Sequence, residues 1–423
     1  MAARTILLSD MNKSSTNRQK LNYADSHSVV RLSSKRFEQS PYSDKYVNEQ
    51  TVFGLYSNRF YPLTLGGDAI DDYWRLRQSV VLYDVPEKPL EISGPDAVNL
   101  LERVLTRRVD NLECWCARYA IACSPQGGIL MDGVVIRLAE DRFWYVIANG
   151  EFESWLLAFT EGLDVTVTDP GSRVLQIQGP KSAAVLSNAA AGQHFGELRY
   201  FHAGMFNLGG QAVLVSRTGW TGELGFEIYS RHHIDHSALW DHLIASGRDH
   251  GMIYASAESM GIRRIEAGIL DNGTDMDRGM TPFAAGLEAF VDLSKPDFVG
   301  RDALKQADRT CLLFGLVCDS VAPQAGLPVF KDDTQVGQVT TGDWSPTLNT
   351  GIGYVRFGDI DSVPGNWLGQ KLILGDFDDG RHDCEIVPLP FYDREKKIPR
   401  GLDSGELTQE VMPTRRWSRE NPY

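Results

Sequence analysis

The sequence predicts an α+β protein made of two related α+β units and a small C-terminal β-barrel. Three observations carry that prediction. A strand, Gly-Pro, helix module occurs twice, around Gly94-Pro95 and again around Gly179-Pro180. Repetition of that unit points to two sheets, each with its helices on one face. Strand and helix patterns are interspersed from about residue 37 to residue 304, as in a mixed fold. After Leu304 the pattern changes to short strands separated by Gly, Pro and Asp turns with no strong helix, which suggests a separate barrel over residues 305–400.

Taken in order, residues 1–36 are rich in Ser, Asn, Lys and Arg without an apolar period, and read as a flexible arm. Residues 37–304 form the mixed region. Residues 89–93 read as a strand, and the helix after Gly94-Pro95 repeats Val98, Leu101, Val104 and Leu105 at helical spacing. Residues 143–147 are a buried-type strand, followed by a turn at 148–150 and a helix carrying Phe152, Trp155 and Leu156. The second module has its strand at 173–178 and its helix at Ala184, Val185 and Leu186. Two further strands, 211–217 and 225–229, are joined by the Gly-rich loop 218–224. A helix is expected over 255–270. Barrel strands are expected at 312–317 and 337–341, and residues 401–423 read as a polar tail.

The 423 residues hold 42 Lys and Arg against 56 Asp and Glu, a formal charge of −14. That balance argues against nucleic-acid or anionic-membrane binding, which needs a positive field. No apolar run approaches the roughly 20 residues needed to cross a bilayer. The first eight residues are too short an apolar stretch for a signal peptide. Six scattered cysteines do not make a disulfide framework, and Cys114-Trp115-Cys116 is not a zinc-ligand spacing. A reducing cytoplasm is the expected compartment.

No dinucleotide fingerprint, phosphate loop or Gly-x-Ser-x-Gly elbow is present. His232 and His236 would share a face if both lay on one helix, although a solvated helix start is the simpler reading, and no metal is expected. Asp132 follows a glycine turn at the start of an apolar strand. It either caps the turn or places an anion beside a developing positive charge. Glu227 lies between Phe226 and Ile228 and so points to the opposite strand face. That face is either solvated or presents a carboxylate to paired N–H donors of a heterocycle. Trp220, in the Gly-rich loop, is a surface hydrophobe or a stacking platform.

Three segments together resemble a known family. Arg217-Thr218-Gly219-Trp220-Thr221-Gly222-Glu223-Leu224-Gly225-Phe226-Glu227 resembles the Arg-Thr-Gly-Tyr-Thr-Gly-Glu-Asp-Gly-Phe-Glu signature of glycine-cleavage T-proteins. Arg264-Ile265-Glu266-Ala267-Gly268, with Asp275-Met276-Asp277 and Thr281-Pro282-Phe283, resembles the next block. Asp297-Phe298-Val299-Gly300-Arg301-Asp302-Ala303-Leu304 resembles the linker into the barrel. Further matches are Gly127-Gly128-Ile129-Leu130 ending at Asp132, Ser345-Pro346-Thr347-Leu348, and Pro390-Phe391-Tyr392, all collinear over about residues 40–395.

The resemblance implies a three-domain ring around a tetrahydrofolate channel and an enzyme that moves one-carbon units to or from N5 of the pterin. Carried over by motif, Asp132 is the catalytic carboxylate, Glu227 grips the pterin amino edge, and Tyr119, Tyr200 and Trp220 surround the folate. Departures bear on the substrate. Met131-Asp132 stands where T-proteins carry Asp-Asp, Pro86-Glu87-Lys88 replaces Ser-His-Met, Met260 replaces an arginine, and the Asn-Ala motif is displaced to Ala148-Asn149. The pattern is more similar to the tetrahydrofolate-dependent demethylase branch, which includes dimethylsulfoniopropionate demethylase, and Arg36-Phe37-Glu38-Gln39-Ser40-Pro41-Tyr42 resembles that enzyme's entry segment. The expected partners are therefore tetrahydrofolate and a small S-, O- or N-methylated substrate, with no nucleic acid and no membrane, and with a homodimer left open. Tyr56, Arg59 and Tyr61, near the entry segment, are candidates for the proton donor or oxyanion site that an ether leaving group would need, and Lys88 either pairs a substrate carboxylate or is a surface lysine. Two other readings remain: an aminomethyltransferase of a glycine-cleavage-type system, and a folate-binding protein without turnover.

Overall fold

The structure is a computed structural model and describes residues 34–148, 150–358, 367–378 and 380–403. The expected arm before residue 34, Asn149 of the displaced motif, and the expected tail after Asp403 lie outside the described residues.

The chain opens with a hairpin, β1 (Val52–Tyr56) and β2 (Arg59–Thr64). Its two turn residues, Ser57 and Asn58, take φ of 48 and 62°, as a two-residue hairpin turn of matching twist requires. Helix α1 (Ala69–Gln78) begins at Asp68, whose carboxylate accepts the N–H groups of Ile70 and Asp71. There follow β3 (Val81–Val85), β4 (Lys88–Ser93), α2 (Ala97–Val104), β5 (Ala117–Cys123), β6 (Ile129–Ala139) and β7 (Arg142–Ile147). The second stretch holds α3 (Glu153–Leu157), β8 (Thr166–Thr168), β9 (Arg173–Gln178), α4 (Ser182–Ala189), β10 (Ala203–Leu208), β11 (Gln211–Ser216) and β12 (Gly225–Ser230). Then come α5 (His236–Gly247), β13 (Ile253–Tyr254), α6 (Ala257–Glu266) and α7 (Arg301–Gln306). The last strands are β14 (Leu313–Cys318), β15 (Pro328–Lys331), β16 (Thr334–Ser345), β17 (Thr350–Phe357), β18 (Lys371–Gly375) and β19 (Arg381–Val387).

One sheet has the order β5-β6-β7-β4-β8, a second the order β10-β11-β12-β9-β3-β13, and β14-β17-β16-β15-β18-β19 close into a barrel. The two Gly-Pro modules fall in different sheets, β4 with α2 and β9 with α4. Their glycines share a conformation that side chains avoid: φ is 129° at Gly94 and 121° at Gly179. At each, a Cβ would meet a backbone carbonyl, Asp164 O at 2.5 Å and Ser79 O at 2.6 Å. The repeat is thus a repeat of backbone geometry.

Each sheet buries one face under its own helices. Leu100, Leu101 and Val104 of α2 pack on Leu90, Ile92 and Val135, while Val185, Leu186, Leu239 and Leu243 of α4 and α5 pack on Ile177, Val215 and Ile228. The other faces meet each other through Val81, Tyr83, Ile136, Trp144, Val174 and Tyr229. Where the sheets meet, polar side chains flank this third core.

The helix expected over 255–270 is shorter, Ala257–Glu266. Gly268, at φ 66°, turns the chain out of the helix against Pro390. That exit releases residues 269–273 as a loop. His232 lies in the turn before α5 and Asp235 caps that helix by accepting from Ala238 N–H, so the two histidines do not share a helical face. Among the described residues no helix is long and apolar enough to cross a membrane.

Candidate active site

Asp132 is placed by β6. Gly128, just upstream, runs so close to Arg278 that a Cβ would lie 2.0 Å from its carbonyl, and Gly133, just downstream, would meet Val146 O at 2.2 Å. Two glycines therefore let a buried strand pass through a crowded place with one carboxylate between them. In the antiparallel register Ile121 faces Asp132, so Tyr119 is its diagonal neighbour on the same face. The Tyr119 hydroxyl donates to Asp132 Oδ2 at 2.9 Å, and Asn272 Nδ2 donates to Oδ1 at 3.0 Å. Asn272 comes from the loop released at Gly268. Burial pushes the Asp132 carboxyl up to about 6, the two hydrogen bonds pull it back, and the charge of Asp271 adds to the rise.

Glu227 is on β12, with Phe226 and Ile228 turned into the helix-covered core as strand alternation demands. Its face is not solvated: Glu227 is only 7% exposed. The cross-strand register sets Ser216 on one side of it and Gln176 on the other. Gln176 Nε2 donates to Glu227 Oε1 at 2.9 Å, and the hydroxyls of Thr218 and Tyr229 donate to Oε2 at 2.5 and 2.6 Å. Burial raises the Glu227 carboxyl and these hydroxyl donors lower it.

Between these two carboxyls stand residues the sequence had named without placing. Glu87 accepts from Gln176 Nε2 at 3.1 Å, and burial, followed by the charge of Glu227, pushes it up to about 8. Tyr56 and Tyr61, from the hairpin, are raised by burial and then by Asp271 and Glu87, with Asp132 also acting on Tyr56. One field therefore spans Asp132, Asp271, Tyr56, Tyr61, Glu87 and Glu227. Tyr56, Tyr119 and Glu87 keep accessible surface although protein surrounds them, as side chains lining an internal cavity do.

The other candidates sit further round. Tyr200 is half-buried and feels the charge of Glu227, after burial and Arg217. Trp220 packs at the edge of the core shared by the two sheets, with the Arg264 guanidinium 5.1 Å from its ring centroid. No hydrogen bond or ring contact joins Trp220 to Asp132 or Glu227 among the described residues. Arg59 is buried, donating to Glu38 at 3.2 Å and to the Glu87 carbonyl at 2.6 Å. Lys88 pairs with Asp169 at 3.0 Å.

Matches to known proteins show the family of the chain. The GCVT N-terminal domain matches residues 47–295, and the glycine cleavage T-protein C-terminal barrel domain matches residues 312–393. The chain belongs to the glycine-cleavage T-protein family. It is 31% identical over 342 residues to an aminomethyltransferase of Lysinibacillus sphaericus, covering 77% of this chain and 90% of that protein. It is 33% identical over 351 residues to a trimethylamine-oxide aldolase of Ruegeria pomeroyi, covering 78% of this chain but only 44% of that protein. The crystal structure of the glycine cleavage system aminomethyltransferase T of Bartonella henselae shares the fold with a TM-score of 0.74 at 24% identity, covering 85% of this chain and 99% of that one. The fold is thus the T-protein fold, and T-protein-family enzymes are one-carbon transferases that use tetrahydrofolate.

The residues present suit that cofactor. A pterin offers a row of N–H donors, and the wall around Glu227 offers acceptors. Two of these, Glu87 Oε2 and Gln176 Oε1, are shielded from water and have no hydrogen-bond partner. Sequence reasoning named none of Gln176, Asn272 and Tyr229 as site residues. Gln176 could have been found from the strand pattern, since it alternates with Leu175 and Ile177 as Glu227 does with its neighbours. Asn272 carries no local signal.

Proposed function

We propose that this T-protein-family chain is a tetrahydrofolate-dependent demethylase that takes a methyl group from the onium centre of a small donor, with a sulfonium of the dimethylsulfoniopropionate type favoured. The observation that supports this reading is the sign of the charge around the cavity. After burial, the charges of Asp271 and Asp132 raise Tyr56, with Glu87 adding to them when it is ionised, and the wall between them is phenolic. Such a wall attracts the onium centre of a methyl donor through both charge and ring faces.

When bound, tetrahydrofolate supplies the N5 nucleophile that takes up the one-carbon unit. Asp132 would lie beside it as a carboxylate, oriented by Tyr119 and Asn272, and would stabilise positive charge developing there. A preorganised group of that kind is worth about 2.7–4 kcal/mol of barrier. Glu227 would hold the amino edge of the pterin, with Tyr119, Tyr200 and Trp220 around the rings. A sulfonium departs as a neutral thioether, so no side chain has to protonate it.

A second reading, an aminomethyltransferase served by a lipoyl carrier, is favoured by the names of several relatives. Incubation of the purified protein with tetrahydrofolate and dimethylsulfoniopropionate, glycine betaine, dimethylglycine or methoxylated aromatic acids tests the two. The expected result is 5-methyltetrahydrofolate with an onium donor only. Turnover solely with an aminomethylated lipoyl protein would replace the first reading by the second.

A further inference from the structure

Glu87 occupies an unusual place in the topology. It lies in the two-residue link Pro86-Glu87 between β3 and β4, where the chain leaves the six-stranded sheet for the five-stranded one. A side chain at that crossing belongs to neither helix-covered core, and this one reaches the carboxyl of Glu227. Gln176 Nε2 donates to both, at 3.1 Å to Glu87 Oε1 and at 2.9 Å to Glu227 Oε1, so a single amide nitrogen holds two buried carboxyls side by side.

Acceptor arithmetic then separates their roles. A carboxylate has about four lone-pair sites. Glu227 Oε2 already receives the Thr218 and Tyr229 hydroxyls, with the Ser216 hydroxyl a longer donor at 3.4 Å, and Oε1 receives Gln176. Glu227 is left with room for at most one more donor. The 2-amino-pyrimidinone edge of a pterin presents three N–H bonds in a row, two on N2 and one on N3, followed by the acceptor N1. One vacant site does not match that edge. The adjacent Glu87 Oε2 and Gln176 Oε1 are water-free and unpartnered, and an unmatched buried acceptor costs about 1–3 kcal/mol.

We propose that Glu87 is a second reader of the pterin's 2-amino edge, taking an N2–H that Glu227 has no site for, and that Gln176 is the positioning residue that spaces the two carboxyls. This rests on the tetrahydrofolate reading and adds a binding residue to it. Two carboxyls so close do not share full charge in a buried site. Burial and Glu227 push Glu87 upward, its own backbone N–H and Arg59 oppose the rise, and Asp84 adds to it. Glu87 is therefore driven toward its neutral form. A neutral carboxyl can accept from N2–H with one oxygen and donate to N1 with the other, a pairing that a second carboxylate could not make.

The test is equilibrium binding to the full chain, measured by calorimetry, with tetrahydrofolate and with its 2-desamino analogue as probes. Glu87→Leu is expected to weaken tetrahydrofolate about tenfold more than it weakens the analogue, the equivalent of the N2–H hydrogen bond that the analogue lacks, since the analogue keeps N1 and loses only that contact. Glu87→Gln keeps one acceptor and one donor and is expected to restore tetrahydrofolate binding to within about threefold of the wild type. Circular dichroism confirms that each variant is folded, and Glu87→Ser replaces Glu87→Leu if the latter is not. Equal losses for both probes would assign Glu87 a structural role and overturn the proposal, as would an unchanged tetrahydrofolate affinity in the folded variant. Wild-type protein that binds neither probe would overturn the tetrahydrofolate reading itself, which keeps the two failures distinct.

Discussion

Asp132 and its two donors set what single residues can report. The carboxylate is the useful form, so activity is expected to fall as pH drops through about 6, where burial places its protonation. Asn272→Leu removes a donor that favours the charged form, so the acid limb of the kcat profile should move to higher pH. A limb that stayed in place would mean that another group titrates there. Asp132→Asn is expected to fold, to retain folate, and to turn over about 100- to 1000-fold more slowly. Full turnover in that variant would remove Asp132 from the chemistry. Both Asp132 and Tyr119 were within reach of the sequence, because the family motifs point to them. Asn272 was not, since 140 residues separate it from its partner and only the break at Gly268 brings the loop in.

The repeated module is the informative unit at the level of secondary structure. Gly94 and Gly179 turn a strand into a helix at φ values where a Cβ is strained whatever space surrounds it, and each also faces a carbonyl closer than 3 Å from where that Cβ would sit. Gly179→Ala is therefore expected to lower stability by about 1–3 kcal/mol, read as a reduced urea midpoint without a change in slope. Gly162, also at positive φ but with nothing within 4 Å of a Cβ, provides the comparison, and the same substitution there should cost less. Equal midpoints for the two variants would refute the close-packing part of the argument. The sequence marked both modules through Gly-Pro before a helix. It overextended the 255–270 helix because apolar spacing continues past the point where Gly268 leaves it.

Across the whole molecule, a buried polar cluster ties the units together. Arg77 of α1 and Arg263 of α6 both bind Glu223 of the Gly-rich loop, and Glu266 accepts from Tyr73 at 2.8 Å and from barrel residue Ser345. Tyr392 adds a ring 5.0 Å from Arg77 and 5.5 Å from Arg263. All four charged side chains are fully buried, so the pairs are valuable mainly because breaking one leaves a charge stranded. Glu223→Gln should cost about 3–5 kcal/mol and lower the midpoint of the whole unfolding transition. A variant as stable as the wild type would show that water reaches the two arginines.

The sequence by itself determined the classes of element, the repeated module, the barrel and the family, because these depend on apolar period, glycine position and collinear motifs, all of which are local in the chain. It also put forward Asp132, Glu227, Tyr119, Tyr200 and Trp220. What only the tertiary structure decided is which side chains share a cavity. Glu87 stood out in the sequence merely as part of Pro86-Glu87-Lys88, and Gln176 as one polar residue in a strand. They meet Glu227 because β12, β9 and β3 lie side by side and because β3 and β4 enter different sheets. Burial in that crossing, rather than residue type, pushes the Glu87 carboxyl upward beside Glu227, since charge is costly where water is excluded.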